Sequence, residues 1–205
     1  MYNKNILQPE LFEIESPKII IGTDEAGRGP LAGPVCAAAV VLPASFPFEI
    51  LNDSKKLSEK KRESAEVVIK EKAVAWAVAW ATHREIDEIN ILNASLLAMK
   101  RAYYKVAMIL EEKKIKPDIL LADGNHKPDV NIPCKAIVKG DATIHEIMAA
   151  SILAKNARDR FMKRASEKWQ GYGFEKHMGY PTKSHRLALQ KIGPCPIHRL
   201  TFKLF

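Results

Sequence analysis

The sequence predicts a mixed α/β fold in which helices cover a central β-sheet. One reason is that short apolar runs bounded by turn residues alternate with longer stretches of helical periodicity. Another is that the chain has 205 residues, of which 47% are hydrophobic and 27% charged, as in an ordinary globular domain. The predicted order is strand, strand, helix, strand, helix, strand, strand, helix and then a basic helical tail.

The first half of the chain supplies three predicted strands and one helix. Residues 18–21 form a short apolar strand that leads into a polar turn, and residues 35–42 form a second strand. Ser58 has the character of a helix cap, so a charged helix is expected over about 59–71. Large side chains alternate with alanines in residues 73–81, and this period of two predicts a strand with one bulky and one tightly packed face.

The second half of the chain is dominated by helical periodicity. Apolar residues recur at helical spacing over residues 85–113 and again over residues 142–168, and a last helix is expected at about 183–191. Two short apolar runs between the long helices, residues 118–122 and 133–139, are predicted strands. The chain therefore provides five strands for one sheet, with helices to cover its faces.

Composition excludes several classes of protein. No apolar run approaches the roughly 18–20 residues that span a bilayer, and the N-terminus lacks the pattern of a signal peptide. We therefore expect a cytoplasmic protein with no membrane partner. Cys36, Cys134 and Cys195 are odd in number and far apart, which argues against a disulfide framework. Cys195 and His198 form half of a zinc-like spacing with no second half nearby, so a zinc site is disfavoured.

The net charge of +8 is concentrated in the last quarter of the chain. Residues 155–205 carry 12 Lys/Arg against 3 Asp/Glu, whereas the rest of the chain carries 20 against 21. This distribution is typical of a surface that binds a polyanion, and a solvated basic face is an equally good explanation. Aromatic side chains interleave with cations there, which suits stacking on sugars or bases beside phosphate contacts. These tail residues are Tyr172, Phe174, His177, Tyr180, Lys183, His185 and Arg186.

Four carboxylates stand at the ends of predicted strands. Asp24 and Glu25 follow the first strand, Asp123 follows the strand at 118–122, and Asp141 lies beyond another strand, where it opens the long helix. Each one alone is more often a turn or cap residue. Three such places on one sheet can converge, and clustered carboxylates repel unless protons or cations neutralise them. Oxygen ligands favour Mg²⁺ or Mn²⁺, so the arrangement predicts a two-metal phosphodiester site.

A glycine-rich segment, Gly27-Arg28-Gly29-Pro30, follows the first two carboxylates directly. Small residues allow its backbone to approach another chain closely, so that amide groups can bind a sugar or phosphate. A tight structural turn is the alternative explanation. The segment lacks the ending of a phosphate-binding loop of the Walker type, which argues against ATP binding.

Read together, these stretches resemble the ribonuclease HII family from about residue 18 to the C-terminus. The opening segment Gly22-Thr-Asp-Glu-Ala-Gly-Arg-Gly-Pro-Leu-Ala-Gly-Pro-Val is the most specific match. The other matching segments are Asn52-Asp-Ser-Lys-Lys-Leu, Glu85-Ile-Asp, Asn90-Ile-Leu, Asp123-Gly-Asn, Gly140-Asp, Ala149-Ala-Ser-Ile-Leu-Ala-Lys, Tyr172-Gly-Phe, Gly179-Tyr-Pro-Thr and His198-Arg. Departures from the family pattern are Met178, Asn156 and Thr201, where lysine, valine and serine are common.

The resemblance implies a ribonuclease H-like fold, a central mixed sheet of five strands with a small helical C-terminal region. It implies an N-terminal extension at 1–17, a catalytic domain at 18–168 and a basic substrate-binding region at 169–205. It assigns Asp24, Glu25, Asp123 and Asp141 to catalysis on two Mn²⁺ or Mg²⁺ ions. The implied substrate contacts are Gly27, Arg28 and Gly29 on the ribonucleotide 2′-OH, Tyr180 on the neighbouring deoxyribose, and Lys55, Asn125, Lys183 and His185 elsewhere.

The implied reaction is hydrolysis on the 5′ side of a ribonucleotide, which leaves a 3′-hydroxyl and a 5′-phosphate. Expected partners are RNA–DNA hybrids and duplex DNA that contains ribonucleotides, bound by a monomer. Two alternatives remain open. A nuclease or strand-transfer enzyme of the same broad fold could act on DNA alone, although the Gly27-Arg28-Gly29 segment argues against it. A non-catalytic nucleic-acid-binding protein would explain the basic tail but not the four acids.

Overall fold

The structure is a computed structural model that describes residues 19–51 and 58–205. Its centre is a five-stranded mixed sheet. The strands are β1 (Ile20–Ala26), β2 (Val35–Val41), β3 (Ala75–Ala81), β4 (Ile119–Asp123) and β5 (Cys134–Ile137). They lie in the order β3-β2-β1-β4-β5, where β2 is antiparallel to both β3 and β1, and β4 is parallel to both β1 and β5. The predicted N-terminal extension lies outside the described residues.

Five α-helices accompany the sheet in the described ranges. They are α1 (Glu59–Lys72), α2 (His83–Glu112), α3 (His145–Lys168), α4 (Phe174–His177) and α5 (Lys183–Ile192). The predicted cap of α1 is confirmed, since the Ser58 side chain accepts a hydrogen bond from the Lys61 amide. α2 begins two residues earlier than predicted, because Thr82 and Glu85 form a capping box.

The sheet is covered on both faces, and the central strand β2 is buried along its whole length. Cys36, Ala38 and Val40 pack towards α1 and α3, whereas the residues between them pack towards α2. The alternation predicted for β3 is confirmed, with buried alanines on the α2 side and partly buried tryptophan and valine side chains on the other. These layers form the predicted ribonuclease H-like arrangement of one mixed sheet between helices.

The C-terminal region packs on α3 and on the segment that joins β1 to β2. Its apolar residues share one buried cluster with that segment and with α3. Three backbone hydrogen bonds reinforce the contact, from Leu31 to Gly179, from Gly33 to Ile197 and from Arg199 to Leu31, each 2.8–2.9 Å long. The tail is therefore tied directly to the loop that follows the first two carboxylates.

Two predicted boundaries next to the carboxylates were wrong. β1 continues through Ala26, so that Asp24 and Glu25 lie within the strand, where Asp24 is opposite Ala38 of β2. Asp141 does not open the long helix, since it lies in a separate 3₁₀ helix, Gly140–Ala142, before α3 begins at His145. Within the described residues, no helix is both long and apolar enough to cross a membrane.

Candidate active site

Three of the four predicted carboxylates converge at one end of the sheet. Asp24, Asp123 and Asp141 each offer an oxygen atom, and these atoms all lie within 4.8 Å of one another. β1 and β4 are parallel neighbours with Thr23 opposite Ala122, so the next residue on each strand is an aspartate. The 3₁₀ helix after β5 brings the third aspartate close, and the Asp141 amide donates to Asp123 Oδ1 at 3.2 Å.

The cluster is buried, and its charges oppose one another. Asp24 and Asp141 are only 5% and 4% exposed. Burial raises the pKa of the Asp24 carboxyl well above its ordinary value, and the neighbouring Glu25 and Asp123 raise it further, whereas hydrogen bonds from Ser151 and the Glu25 amide act in the opposite sense. Such a group of oxygens fits a hard divalent cation, which would remove the repulsion that the protein alone leaves in place.

Glu25 lies beside this cluster and outside it. Glu25 follows Asp24 directly on β1 and is not one of the three acids whose oxygens lie within 4.8 Å of one another. Its carboxylate accepts a hydrogen bond from Arg28 Nη1 at 3.4 Å. Burial raises the pKa of Glu25, the Arg28 guanidinium lowers it, and the Asp123 charge raises it again. Glu25 lines the same cleft as the three aspartates, and its part in metal binding stays a prediction.

The carboxylates open into a cleft of about 430 Å³. Three cations, Arg28, Arg62 and Lys155, line it together with the acids, and the last two are each hydrogen-bonded to Asp159. The full lining is Asp24, Glu25, Ala26, Gly27, Arg28, Gly29, Arg62, Asp123, Asp141, Ser151, Ile152, Lys155 and Tyr180. The cleft thus combines an acidic centre with basic groups of the kind that bind phosphates.

The Gly27-Arg28-Gly29 segment is held from behind by Arg199, whose side chain is fully buried. Arg199 Nη2 donates to the Gly27 carbonyl at 2.6 Å, Nη1 donates to the Arg28 carbonyl at 2.8 Å, and Nε donates to the Gly33 carbonyl at 2.9 Å. A planar guanidinium with several fixed donors suits this task better than any other side chain. Sequence reasoning missed this function, and the His198-Arg match was the signal that could have indicated it.

A second buried arginine, Arg158 on α3, completes the support. It donates to the carbonyls of Pro34, Ala32 and Met178 at 3.0–3.1 Å, so it joins the loop after the glycine segment to the C-terminal region. Gly27 has a φ of 101° and its α-carbon faces this guanidinium, so that a Cβ atom there would overlap Arg158. Only glycine satisfies both conditions. Nothing in the sequence pattern indicated this use of Arg158.

The predicted substrate contacts have different outcomes. Tyr180 lines the cleft and is 41% exposed. Its ring would lie 3.5 Å from a Cβ atom placed on Gly29, which is ordinary van der Waals contact. Lys183 and Asn125 are exposed but are not among the described residues that line the cleft. Lys55 lies outside the described residues. The contacts of these side chains with substrate stay predictions.

One predicted substrate contact is wrong, because His185 is fully buried and cannot touch a substrate. Its ring contacts the Tyr180 carbonyl and the His198 ring instead. Tyr172 and Phe174 are also buried, and their stacked rings lie in the core of the C-terminal region. The aromatic pattern of the tail therefore belongs mostly to a core, with Tyr180 as the part that reaches the cleft.

Comparison with known proteins agrees with this geometry. A sequence profile of the ribonuclease HII family matches residues 21–205. The chain is 53% identical to ribonuclease HII of Dechloromonas aromatica over 184 residues, covering 90% of each chain. It is 55% identical to ribonuclease HII of Idiomarina loihiensis over 184 residues, covering 90% of this chain and 95% of the relative.

A solved structure gives the same result for the fold. The crystal structure of ribonuclease H2 from Pyrococcus horikoshii superposes with a TM-score of 0.69 at 25% identity, covering 90% of this chain and 94% of that chain. The sheet order, the aspartate cluster and the sequence matches all indicate the same family. The chain belongs to the ribonuclease HII family and is a metal-dependent endoribonuclease that acts on RNA–DNA hybrids.

Proposed function

We propose that this enzyme cuts on the 5′ side of ribonucleotides, both within RNA–DNA hybrids and at a single ribonucleotide embedded in duplex DNA. The products are a 3′-hydroxyl and a 5′-phosphate, and the biological role is removal of ribonucleotides from DNA. One observation carries the proposal: the buried Asp24, Asp123 and Asp141 cluster shares a cleft with the Gly27-Arg28-Gly29 segment. The acids proposed to bind the metal ions and the segment proposed to bind the sugar thereby line the same cleft.

The aspartates would hold two ions, Mg²⁺ or Mn²⁺, with Glu25 as a fourth ligand. When bound, these ions supply an activated water and neutralise charge on the leaving oxygen. The protein contributes a fixed set of oxygens, in which Asp24 is oriented by the Glu25 amide at 2.7 Å and by the Ser151 side chain. Burial of Asp24 and Asp141 limits water at the cluster, so that charges there act at greater strength than in solvent.

Recognition of RNA would depend on the glycine segment. Gly27 and Gly29 have no side chains, so their backbone can approach the 2′-hydroxyl, the group that separates a ribonucleotide from a deoxyribonucleotide. Arg199 fixes the carbonyls of Gly27 and Arg28, which keeps the segment in one conformation before substrate arrives. Tyr180 beside Gly29 would pack against the adjacent deoxyribose.

Phosphate contacts would come from Arg62 and Lys155 at the cleft and from exposed basic residues of the tail, including Lys183. One chain supplies the acid cluster, the glycine segment and Tyr180 together, so we propose that the protein acts as a monomer. The catalytic part would be residues 18–168 and the substrate-binding part residues 169–205.

The deciding experiment is cleavage of labelled duplex DNA that contains one ribonucleotide, with Mg²⁺, Mn²⁺ or EDTA, beside an all-DNA duplex. We expect a metal-dependent cut on the 5′ side of the ribonucleotide and an intact control. Cutting of the all-DNA duplex would point to a DNA nuclease of similar fold. Salt-sensitive binding without cleavage under either metal would contradict the proposal and favour a binding protein.

A further inference from the structure

Two buried histidines lie directly behind Tyr180. His185 and His198 are 0% and 1% exposed, and their Nε2 atoms are 3.0 Å apart. Two neutral imidazoles can form such a hydrogen bond only when one Nε2 carries a proton and the other presents a lone pair. The surrounding backbone groups determine which of the two Nε2 atoms carries the proton.

The first constraint comes from Cys195. Its amide N–H donates to Nδ1 of His198 at 2.9 Å. Its carbonyl lies 3.2 Å from the same Nδ1 but already accepts the His198 amide at 3.0 Å. An N–H that points at a ring nitrogen requires a lone pair there, so Nδ1 of His198 is unprotonated. In the neutral ring the proton is then on Nε2, and His198 donates to His185.

The second constraint comes from Tyr180, at the other end. Its carbonyl lies 3.0 Å from Nδ1 of His185, and a carbonyl oxygen can only accept. His185 therefore carries its proton on Nδ1 and presents a lone pair at Nε2. The two ends are independent, yet they give the shared Nε2–Nε2 bond the same direction, from His198 to His185.

We propose that His198 and His185 are positioning residues that form an ordered relay of three hydrogen bonds, from the Cys195 amide to the Tyr180 carbonyl. The relay fixes the backbone of Tyr180, and through it the ring that faces the substrate. The functional part of this inference depends on the proposed contact of Tyr180 with the deoxyribose, whereas the tautomers do not.

The packing around the relay favours neutral rings. His177 stacks on His185 with ring centroids 4.6 Å apart, and Phe174 meets His185 at a steep angle with its centroid 5.4 Å away. Burial lowers the pKa of both relay histidines, that of His198 to about 4, and outweighs the hydrogen bonds to the Tyr180 and Cys195 backbone, which act in the opposite sense. A proton added to His185 would set two N–H groups against each other across the 3.0 Å Nε2–Nε2 contact. A proton added to His198 would set its Nδ1–H against the Cys195 amide at 2.9 Å, so either proton would break the relay.

The position of Tyr180 is sensitive to such a break. Its carbonyl also accepts the Thr182 amide at 2.8 Å, which closes a tight turn before α5. Its ring lies between Gly29 and the guanidinium of Arg158, which is 5.9 Å from the ring centroid. If the Tyr180 carbonyl turned away from His185, the Tyr180 ring would therefore move away from the glycine segment.

The tautomers can be read in the intact protein by long-range ¹H–¹⁵N correlation spectra of ¹⁵N-labelled histidines at neutral pH. We expect a neutral His198 with its proton on Nε2 and a neutral His185 with its proton on Nδ1. The opposite tautomer of either ring, or a charged ring at this pH, would overturn the proposal. This measurement needs no substrate, so it stands whether or not the proposed cleavage is observed.

Two substitutions of His198 separate positioning from general structure. The glutamine side chain in H198Q places an amide N–H near the position of Nε2 and can still donate to His185, whereas the shorter side chain in H198N reaches only the position of Nδ1. We expect H198Q to cleave the embedded ribonucleotide within about threefold of wild type and H198N to lose about tenfold, with unchanged Mn²⁺ affinity. Equal cleavage by wild type and both variants would overturn the positioning function.

Discussion

The aspartate cluster makes a quantitative prediction for Asp24→Asn. In the metal-free protein, Asp24 lies within 4.8 Å of two other carboxylates, and each full pair of charges at that distance repels by roughly 3 kcal/mol at an effective dielectric constant of about 20. Burial and the neighbouring charges raise the pKa of Asp24, so the full sum of these pairs is an upper bound on the repulsion. Replacing the carboxylate by an amide of the same size should therefore raise the free energy of unfolding by roughly 1–3 kcal/mol.

The assay is thermal unfolding near pH 7.5, with EDTA and then with Mn²⁺. For a chain of this size, each kcal/mol corresponds to a change in Tm of about 3 °C, so the EDTA sample of D24N should melt about 3–9 °C above wild type. Saturating Mn²⁺ should stabilise wild type by roughly 3 kcal/mol at a hundredfold excess over Kd, and D24N by much less. Cleavage by D24N should fall by more than a hundredfold.

Asp129→Asn is the matched control, because it makes the same chemical change at a side chain that is 95% exposed and pairs with Lys100 at the surface. An exposed pair contributes little, so its Tm should change by about 1 °C or less. If D24N melts at or below wild type in EDTA, or gains as much from Mn²⁺ as wild type does, the cluster is not a repulsive metal site.

Three further predictions test the surroundings of the cluster. Gly27→Ala should lower cleavage by more than tenfold and the free energy of unfolding by roughly 1–3 kcal/mol in urea titrations, because its Cβ would overlap Arg158 at a φ of 101°. Burial raises the pKa of Glu66, but hydrogen bonds led by Arg160 outweigh it and hold the pKa at about 2, below the ordinary 4.5. The contribution of Glu66 to the free energy of unfolding is thus complete above pH 4.5 and is lost as the pH falls towards 2. Glu66→Gln should make the free energy of unfolding less dependent on pH between these two values. Finally, the affinity for an RNA–DNA hybrid should fall as the salt concentration rises. The slope of log Kd against log salt concentration should be well below that expected for 12 phosphate contacts.

The elements that the sequence predicted best are those whose pattern is local. The alternation of alanine with tryptophan and valine identified β3, and its burial follows that alternation residue by residue. Ser58 marked the start of α1 by a hydrogen bond three residues ahead. In both cases the pattern that identifies the element lies within a few consecutive residues, so it can be read from the sequence.

Boundaries that depend on a partner strand were not predictable in this way. Asp24 and Glu25 have the character of turn residues, yet β1 continues through them because β2 offers Ala38 and Ala37 as partners across the ladder. Polar residues are depleted in strands, and here tertiary pairing overrides that preference. The same extension holds both acids at the cleft, and Asp24, but not Glu25, belongs to the group that converges.

The support of the site was the least visible part. Arg199 contacts carbonyls 171 and 172 positions earlier in the chain, and Arg158 contacts one 126 positions earlier. No periodicity or spacing reports contacts of that range. The contact predicted for His185 was wrong for a related reason, since an aromatic or histidine in a basic tail has the same local pattern whether it faces a nucleic acid or fills a small core.

The basic tail, residues 155–205, carries more Lys/Arg than are available to bind a polyanion. Of its 12 Lys/Arg, Arg158 and Arg199 are buried and bind backbone carbonyls of the glycine segment and the loop after it. Lys155, Arg160 and Lys163 are paired with carboxylates, two of which belong to α1. Those five cations hold the protein together, and two of them shape the segment proposed to recognise the ribonucleotide. The excess of positive charge therefore partly reflects internal contacts of α3 and of the C-terminal region. Of these 12 cations, Lys155 at the cleft and the seven that make none of these contacts are available to set the salt dependence of binding.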